Sequence, residues 1–412
     1  MISGERGGDR LTDHLLIGYV IFLPVQFQVA SDLNIAPSDL CLGLYALLAG
    51  WRIGYVRAAW SCWHWALGGI MLAGMWVSSI ARGELTRYVF FNKGVGMGVL
   101  FLAYASFTSN IGSWKRLHTI LRCLVLSVVI QNVIVLIAFF LSRYTGIVIP
   151  GLNEGGYRLS GMLLDANGYG GLLVLALALN EISADSELAV TSGWTRVLST
   201  ITLFIGILFT FSRSTWLSLS VVLILTSIFR RRSAVRMLGV LFISLPLIIA
   251  TASNSFLSFM EKMAKRPEQV EGRVEILRKA FEYFPERPVW GIGLGTFNDR
   301  EGVIIHNTGA WFLTEFGLVG LTVYVSLVGW FFVVGWRAMT VMPERRRPIV
   351  LALLVGHAGL IGLSFGVEAF YKREWWVLMA CIGSAYAQIR STVESKHRPV
   401  PGQVKATLLE LG

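Results

Sequence analysis

His306 is the residue in this chain best suited to move a proton. An imidazole titrates at about pH 6.5. This one stands directly before Asn307 and the apolar run Thr308-Gly-Ala-Trp-Phe-Leu-Thr-Glu-Phe-Gly-Leu-Val-Gly320. The pattern predicts a helix opening there, with free N–H groups and a dipole that favour an anion at its mouth. Arg158, Arg213 and Arg273 form a second set. A guanidinium grips phosphate through paired hydrogen bonds, so three on one side of the molecule suit a diphosphate. Taken singly, each arginine also reads as a headgroup contact or local salt bridge, and His306 as a capping or loop histidine.

Glu315 follows Trp311 by four residues and Asn307 by eight, which puts the three on one helix face. An ionisable residue inside an apolar run is a functional candidate; Glu315 in support could orient His306 or Arg213, and a structural role is the favoured reading. Glu368, Lys372, Arg373 and Glu374 read as a charged rim at the membrane interface. The other histidines (His14, His64, His118, His357 and His397) have no second polar partner in sequence. Gly291, Gly293 and Gly295 mimic a nucleotide loop, but no strand flanks them. No HExxH or DxD motif occurs, which argues against a metal-dependent enzyme.

The elements that must position these residues are membrane spans. The 412 residues are 54% hydrophobic and 15% charged, against about 25% charged in soluble domains; the mean hydropathy is +0.62. Hydropathy predicts an all-α polytopic membrane protein of about 12 spans. They fall near 14–30, 38–54, 61–81, 88–108, 118–141, 166–182, 197–212, 214–229, 236–252, 308–336, 349–366 and 375–391. The net charge of +11 gathers in short loops, such as Lys115 with Arg116, Arg230 to Arg232 and Arg345 to Arg347. The positive-inside rule accounts for such clusters as cytoplasmic loops, without nucleic acid as a partner. Both termini then lie inside, and residues 1–13 lack a signal-peptide pattern, so the first span is expected to stay as an anchor. Cys41, Cys62, Cys123 and Cys381 form no CxxC and suggest neither a disulfide framework nor zinc.

The chain divides into spans one to nine over 1–252, with an outer loop at 142–167. A polar helical segment follows over 253–306, then spans ten to twelve over 307–392 and an inner tail over 393–412. Arg158 lies in the glycine-rich outer loop, shortly before Asn167. Arg213 tops a tight hairpin between spans seven and eight. In the long polar segment, Phe256, Phe259, Met260 and Met263 trace one amphipathic helix. Val270, Val274, Leu277, Phe281 and Phe284 trace a second, ended by Pro285, with Arg273 beside its stripe.

Taken in order, these residues resemble a family. Arg158-Leu-Ser-Gly161 with Asp165-Ala-Asn167, Ser212-Arg-Ser-Thr-Trp216, Gly272-Arg273 and Pro288-Val-Trp-Gly-Ile-Gly-Leu-Gly-Thr-Phe297 come first. His306-Asn307, Trp311-Phe-Leu313, Glu315-Phe-Gly317 and Gly320 follow. The set is similar to the O-antigen ligase and polymerase superfamily of bacterial membrane glycosyltransferases, over roughly residues 150–335. The resemblance implies an inner-membrane enzyme with its site facing the periplasm and with no metal or other cofactor. Such an enzyme takes a glycan from undecaprenyl diphosphate and passes it to lipid A core or another glycan. By position, His306 looks like the family's essential histidine. Arg158 and Arg213 look like its diphosphate-binding arginines, with Arg273 beside them and Asn167, Asn307 and Glu315 in support. With one long outer segment, the chain looks more ligase-like than polymerase-like. A lipid-linked glycan transporter would instead show repeated halves and polar residues at mid-membrane.

Overall fold

The computed structural model of the protein describes residues 7–30, 33–146, 152–154, 158–251 and 267–396. The first amphipathic pattern, Phe256 to Met263, lies outside them, as do His397 and most of the tail. The described chain is all-helical apart from two short hairpins. Its helices are α1 (Gly7–Ile21), α2 (Pro37–Ala49), α3 (Cys62–Arg82), α4 (Gly96–Asn110), α5 (Trp114–Thr145), α6 (Ala166–Ile182) and α7 (Gly193–Phe209). They continue with α8 (Arg213–Phe229), α9 (Arg231–Thr251), α10 (Pro267–Tyr283), α11 (Thr296–Glu301), α12 (Thr308–Val341), α13 (Arg347–Ser364) and α14 (Arg373–Lys396). Among the described residues, five helical stretches are long and apolar enough to cross a membrane: Cys62–Arg82, Tyr88–Asn110, Trp114–Ser142, Thr308–Val341 and Glu344–Ser364.

Helices α6 and α13 form the centre. Both are apolar on every side and buried along nearly their whole length, as a helix without a polar face must be. α6 packs on α5, α7, α8 and α13, while α13 also touches α8, α12 and α14. Small residues let them approach closely, the usual route to helix association where apolar burial gives no gain over lipid. A Cβ on Gly170 of α6 would lie 2.0 Å from Thr215 Oγ1 of α8. The outward faces carry large apolar side chains instead, including Trp65, Leu72, Trp76 and Ile80 on α3.

Two elements differ from the hydropathy reading. The first helix stops at Ile21 rather than near residue 30, and the chain continues into an antiparallel hairpin, β1 (Phe27–Ala30) with β2 (Leu33–Ile35). Pro24, which has no N–H to continue a helix, sits at this exit. Its carbonyl accepts from Gln131 Nε2 (2.7 Å), and Gln26 N donates to Met162 O (2.8 Å). The fourth span begins as a π-helical turn, Tyr88–Val95, before α4. By contrast, α6 matches its predicted limits of 166 and 182, and the tight α7–α8 hairpin forms as expected.

The third feature explains the glycine run. α12 is broken at Gly317, whose φ of 66° and ψ of −160° are not helical. The segment Pro288 to Gly295 crosses the break. Ile292 N and Gly293 N donate to Thr314 O and Glu315 O (both 3.0 Å). In return, Leu318 N and Val319 N donate to Pro288 O (2.9 Å) and Val289 O (3.1 Å). A Cβ on Gly291 would lie 2.3 Å from the Glu315 carbonyl carbon, so the two backbones meet where only glycine fits. These glycines serve a backbone crossing, not a nucleotide.

Candidate functional site

The site is assembled where the N-termini of α6, α8 and α12 meet. Asn307 caps α12, its Oδ1 accepting from Ala310 N at 2.9 Å, which meets one of the N–H groups a helix start leaves free. Its Nδ2 donates to Phe365 O (3.1 Å), and Thr308 Oγ1 donates to Val367 O (3.2 Å) and accepts from Ala369 N (3.1 Å). The mouth of α12 is thus sewn to the turn that follows α13.

Asp165 caps α6, accepting from Asn167 N and Gly168 N (both 3.0 Å) and pairing with Lys372 Nζ at 2.9 Å. Burial alone would push this carboxyl up. The Lys372 ammonium and the two backbone donors outweigh it and hold the group at about 2. Ser212 caps α8, accepting from Thr215 N (3.2 Å). Its hydroxyl donates to Asn167 Oδ1 (2.7 Å), which joins the starts of α6 and α8.

Arg158 is held at this junction. It sits in β4 (Arg158–Leu159), paired with β3 (Asn153–Glu154). Its guanidinium donates to Thr210 O (3.2 Å), Glu154 Oε1 (2.8 Å) and Asn167 Oδ1 (3.0 Å). Asn167 thus contacts the Arg158 guanidinium directly. Arg213 is the first residue of α8 and is exposed; the preceding turn is forced by Phe211, whose φ is +47°. Among the described residues, nothing pairs with the Arg213 side chain.

Arg273 lies on α10, and α10 is clamped from below. Thr314 Oγ1 of α12 donates to Ala280 O (3.2 Å). Lys279 Nζ and Tyr283 Oη both reach Glu301 of α11 (2.5 and 2.6 Å). α11 in turn is tied to α3 through Arg82, which pairs with Asp299 and donates to Thr296 Oγ1. Solvent still reaches Arg273, yet partial burial, and then the like charges of Arg158 and Arg213, lower its proton affinity. Arg158 and Arg213 therefore both lie within Coulomb range of Arg273, and among the described residues Asp165 and Glu154 act against them there.

His306 is half-buried beside this cluster, and among the described residues neither ring nitrogen has a partner. Burial first, then the Arg273 charge, move its pKa below the ordinary histidine value; Asp165 and Glu368 pull the other way. The result is a neutral imidazole at neutral pH, with a free lone pair. Among the described residues, no three His, Cys, Asp or Glu side chains gather as metal ligands.

Glu315 takes a structural place, the reading favoured for it from sequence. It is buried within α12, and its Oε2 accepts from Trp311 Nε1 (2.7 Å) and Gly295 N (2.8 Å). It braces the backbone crossing and orients neither His306 nor Arg213. One residue that sequence reasoning passed over stands behind the site. Lys93, in the π-turn, is buried and ion-paired with Glu368. A lysine inside an apolar span was the available signal.

Residues 198–325, somewhat under a third of the chain, match the family model described as O-antigen ligase. That stretch contains Arg213, Arg273, His306, Asn307 and Glu315; Arg158 and Asn167 precede it. No curated protein matches the chain. The matched stretch, lying over the α8, α10 and α12 side of the arginine–histidine cluster, is what this chain shares with the O-antigen ligase family.

Proposed function

We propose that this protein is an O-antigen ligase-like glycosyltransferase. It moves a glycan from undecaprenyl diphosphate to an acceptor hydroxyl, that of lipid A core, on the periplasmic side of a bacterial inner membrane. The remaining apolar helices complete the about 12 spans of the hydropathy reading. The observation that carries the proposal is the gathering of Arg158 and Arg213 around Arg273, whose charge acts in turn on His306, a side chain without a partner among the described residues. Like charges repel when brought together, so a cluster with so little compensating carboxylate fits a site built for a polyanion.

The chemistry follows from these groups. The arginines hold the diphosphate, aided by the N-termini of α6, α8 and α12, and take up the charge that grows on it as the glycosidic bond breaks. Positive charge supplied this way leaves the step without need of a metal ion. His306 accepts the proton of the acceptor hydroxyl while that oxygen attacks the anomeric carbon. One displacement forms the new glycosidic bond, releases undecaprenyl diphosphate and inverts the anomeric configuration. The low proton affinity of His306 keeps it in the base form.

A polymerase of the same superfamily would use the same groups, with a second lipid-linked glycan as acceptor. Deleting the gene separates the two. Long glycan stranded on the carrier with bare lipid A core means ligase; single repeat units on carrier and core mean polymerase. An unchanged pool of both overturns the glycosyltransferase reading. Normal transfer by purified His306→Ala overturns the base assignment.

A further inference from the structure

Lys93 is a buried cation that the transfer chemistry leaves unused. It lies in the π-helical turn Tyr88–Val95, inside a stretch long and apolar enough to span a membrane. Its side chain is only 6% exposed, and that of its partner Glu368 10%. Wide turns of this kind recur at functional sites, and an ammonium taken out of water requires compensation. Besides Glu368, the rings of Tyr371, Trp311 and Tyr88 supply it, with centroids 4.6, 4.8 and 5.5 Å from Nζ. Tyr371 Oη also donates to Lys93 O at 3.2 Å.

Glu368 sits on the turn after α13, between the two residues that bond Thr308: Val367 through its carbonyl and Ala369 through its N–H. Phe365 on the same turn accepts from Asn307. The pair therefore anchors, from the core side, the turn to which the His306 end of α12 is sewn. The Glu368 charge also reaches the imidazole.

We propose that the Lys93–Glu368 pair is a positioning unit for His306, bracing the 365–372 turn under the mouth of α12 and cancelling the carboxylate's field at the imidazole. The inference rests on His306 acting as the base. The charged groups acting on His306 are Arg273 from α10, Asp165 from the cap of α6 and Glu368 from the turn. Those around Glu368 are Lys93 and Tyr88 from the π-turn, Glu315 from α12 and Tyr371 from its own turn. Lys372 on the same turn is engaged with Asp165.

The test is the pH profile of transfer by the full-length protein in liposomes. The donor is an undecaprenyl-diphosphate-linked glycan and the acceptor is lipid A core. Rate should rise with pH as the imidazole loses its proton. Lys93→Met leaves the Glu368 charge uncancelled, favours the imidazolium and moves the acid limb to higher pH, by about 0.5–1 unit for a neighbouring charge. Glu368→Gln moves it to lower pH, because it removes the carboxylate that favours the imidazolium. The double variant Lys93→Met/Glu368→Gln returns the limb toward that of the wild type. Loss of a purely structural contact would scale the whole curve and leave the limb in place. Unmoved limbs in both single variants overturn the proposal. Should Lys93→Met not accumulate in the membrane, Glu368→Gln decides alone: a downward shift supports the proposal and an unmoved limb overturns it. An active His306→Ala would instead sink the base role itself, whatever these limbs do.

Discussion

Replacing Gly317 by alanine tests how α12 is built, and through it how His306 is held. At φ 66° and ψ −160° a residue with a side chain is strained by about 1–3 kcal/mol. The new Cβ would also lie 2.4 Å from both the carbonyl carbon and oxygen of Val289 and 2.7 Å from Gly291 N. These are backbone atoms, so no rotamer change relieves the clash. The crossing strand must retreat, and the bonds beside the break, Leu318 N to Pro288 O and Val319 N to Val289 O, are lost first. At about 0.5–1.5 kcal/mol net for each, those two add roughly 1–3 kcal/mol. The expected loss is therefore about 2–6 kcal/mol, a large share of the stability of a typical domain. Unfolding in detergent, followed by tryptophan fluorescence, measures it. Gly329→Ala is the control on the same helix, since nothing lies within 4 Å of its Cβ position; it should match the wild type or gain at most about 1 kcal/mol. If Gly317→Ala unfolds within about 0.5 kcal/mol of that control, the crossing does not hold α12 as described.

Three other perturbations act on the site. Arg213→Ala removes a side chain that nothing in the described residues pairs with. It should leave unfolding unchanged while lowering transfer by about 100-fold or more, with Arg213→Lys restoring only part because an ammonium cannot bind phosphate bidentately. Wild-type rates in Arg213→Ala would remove it from the diphosphate site. Arg273→Gln takes away the positive charge that lowers the proton affinity of His306, so the acid limb of the transfer profile should move upward in pH; a downward move contradicts the placement of Arg273. The Asp165 carboxyl, held at about 2, lies below its ordinary value of about 3.9. Its ionised form therefore stabilises the fold above that pH, and the contribution is lost as pH falls through about 2. Asp165→Asn should unfold more easily than the wild type at pH 6, and the gap should close on acidification between these values. A gap that persists unchanged at low pH would show that the carboxylate charge is not its source.

Much of the architecture was legible because membrane helices are written in long apolar runs. The limits of α6 and the α7–α8 hairpin fall where hydropathy and the polar Ser212-Arg213 tip put them. The histidine before a helix and the ordered arginines were legible too, since each is an unusual residue at the end of an apolar run. What escaped was long-range. Glycines 291, 293 and 295 resemble many glycine runs until the backbone of α12 is seen to open against them. Glu315 shares a helix face with Asn307 by spacing alone, but Gly295 and Trp311 claim its carboxylate. Lys93 and Glu368 are 275 residues apart in sequence, and no local pattern joins them.

The site gains its sign from backbone as much as from side chains. Three helices begin at one place: Asn167 Oδ1 receives both Ser212 and Arg158, and the turn after α13 links Asn307 of α12 to the start of α8. That last approach is close enough that a Cβ on Gly366 would lie 2.1 Å from Ser214 Oγ. Each start exposes N–H dipoles toward the same region, and three arginines stand over it. Asp165 and Glu368, the carboxylates with the clearest influence on His306, are each bound to a lysine, Lys372 and Lys93. Neutralised acids and aligned helix starts beneath three arginines are hard to explain as a stabilising device, because together they leave positive potential uncompensated. They become consistent once a diphosphate supplies the missing charge, and the imidazole then stands as the proton acceptor beside it.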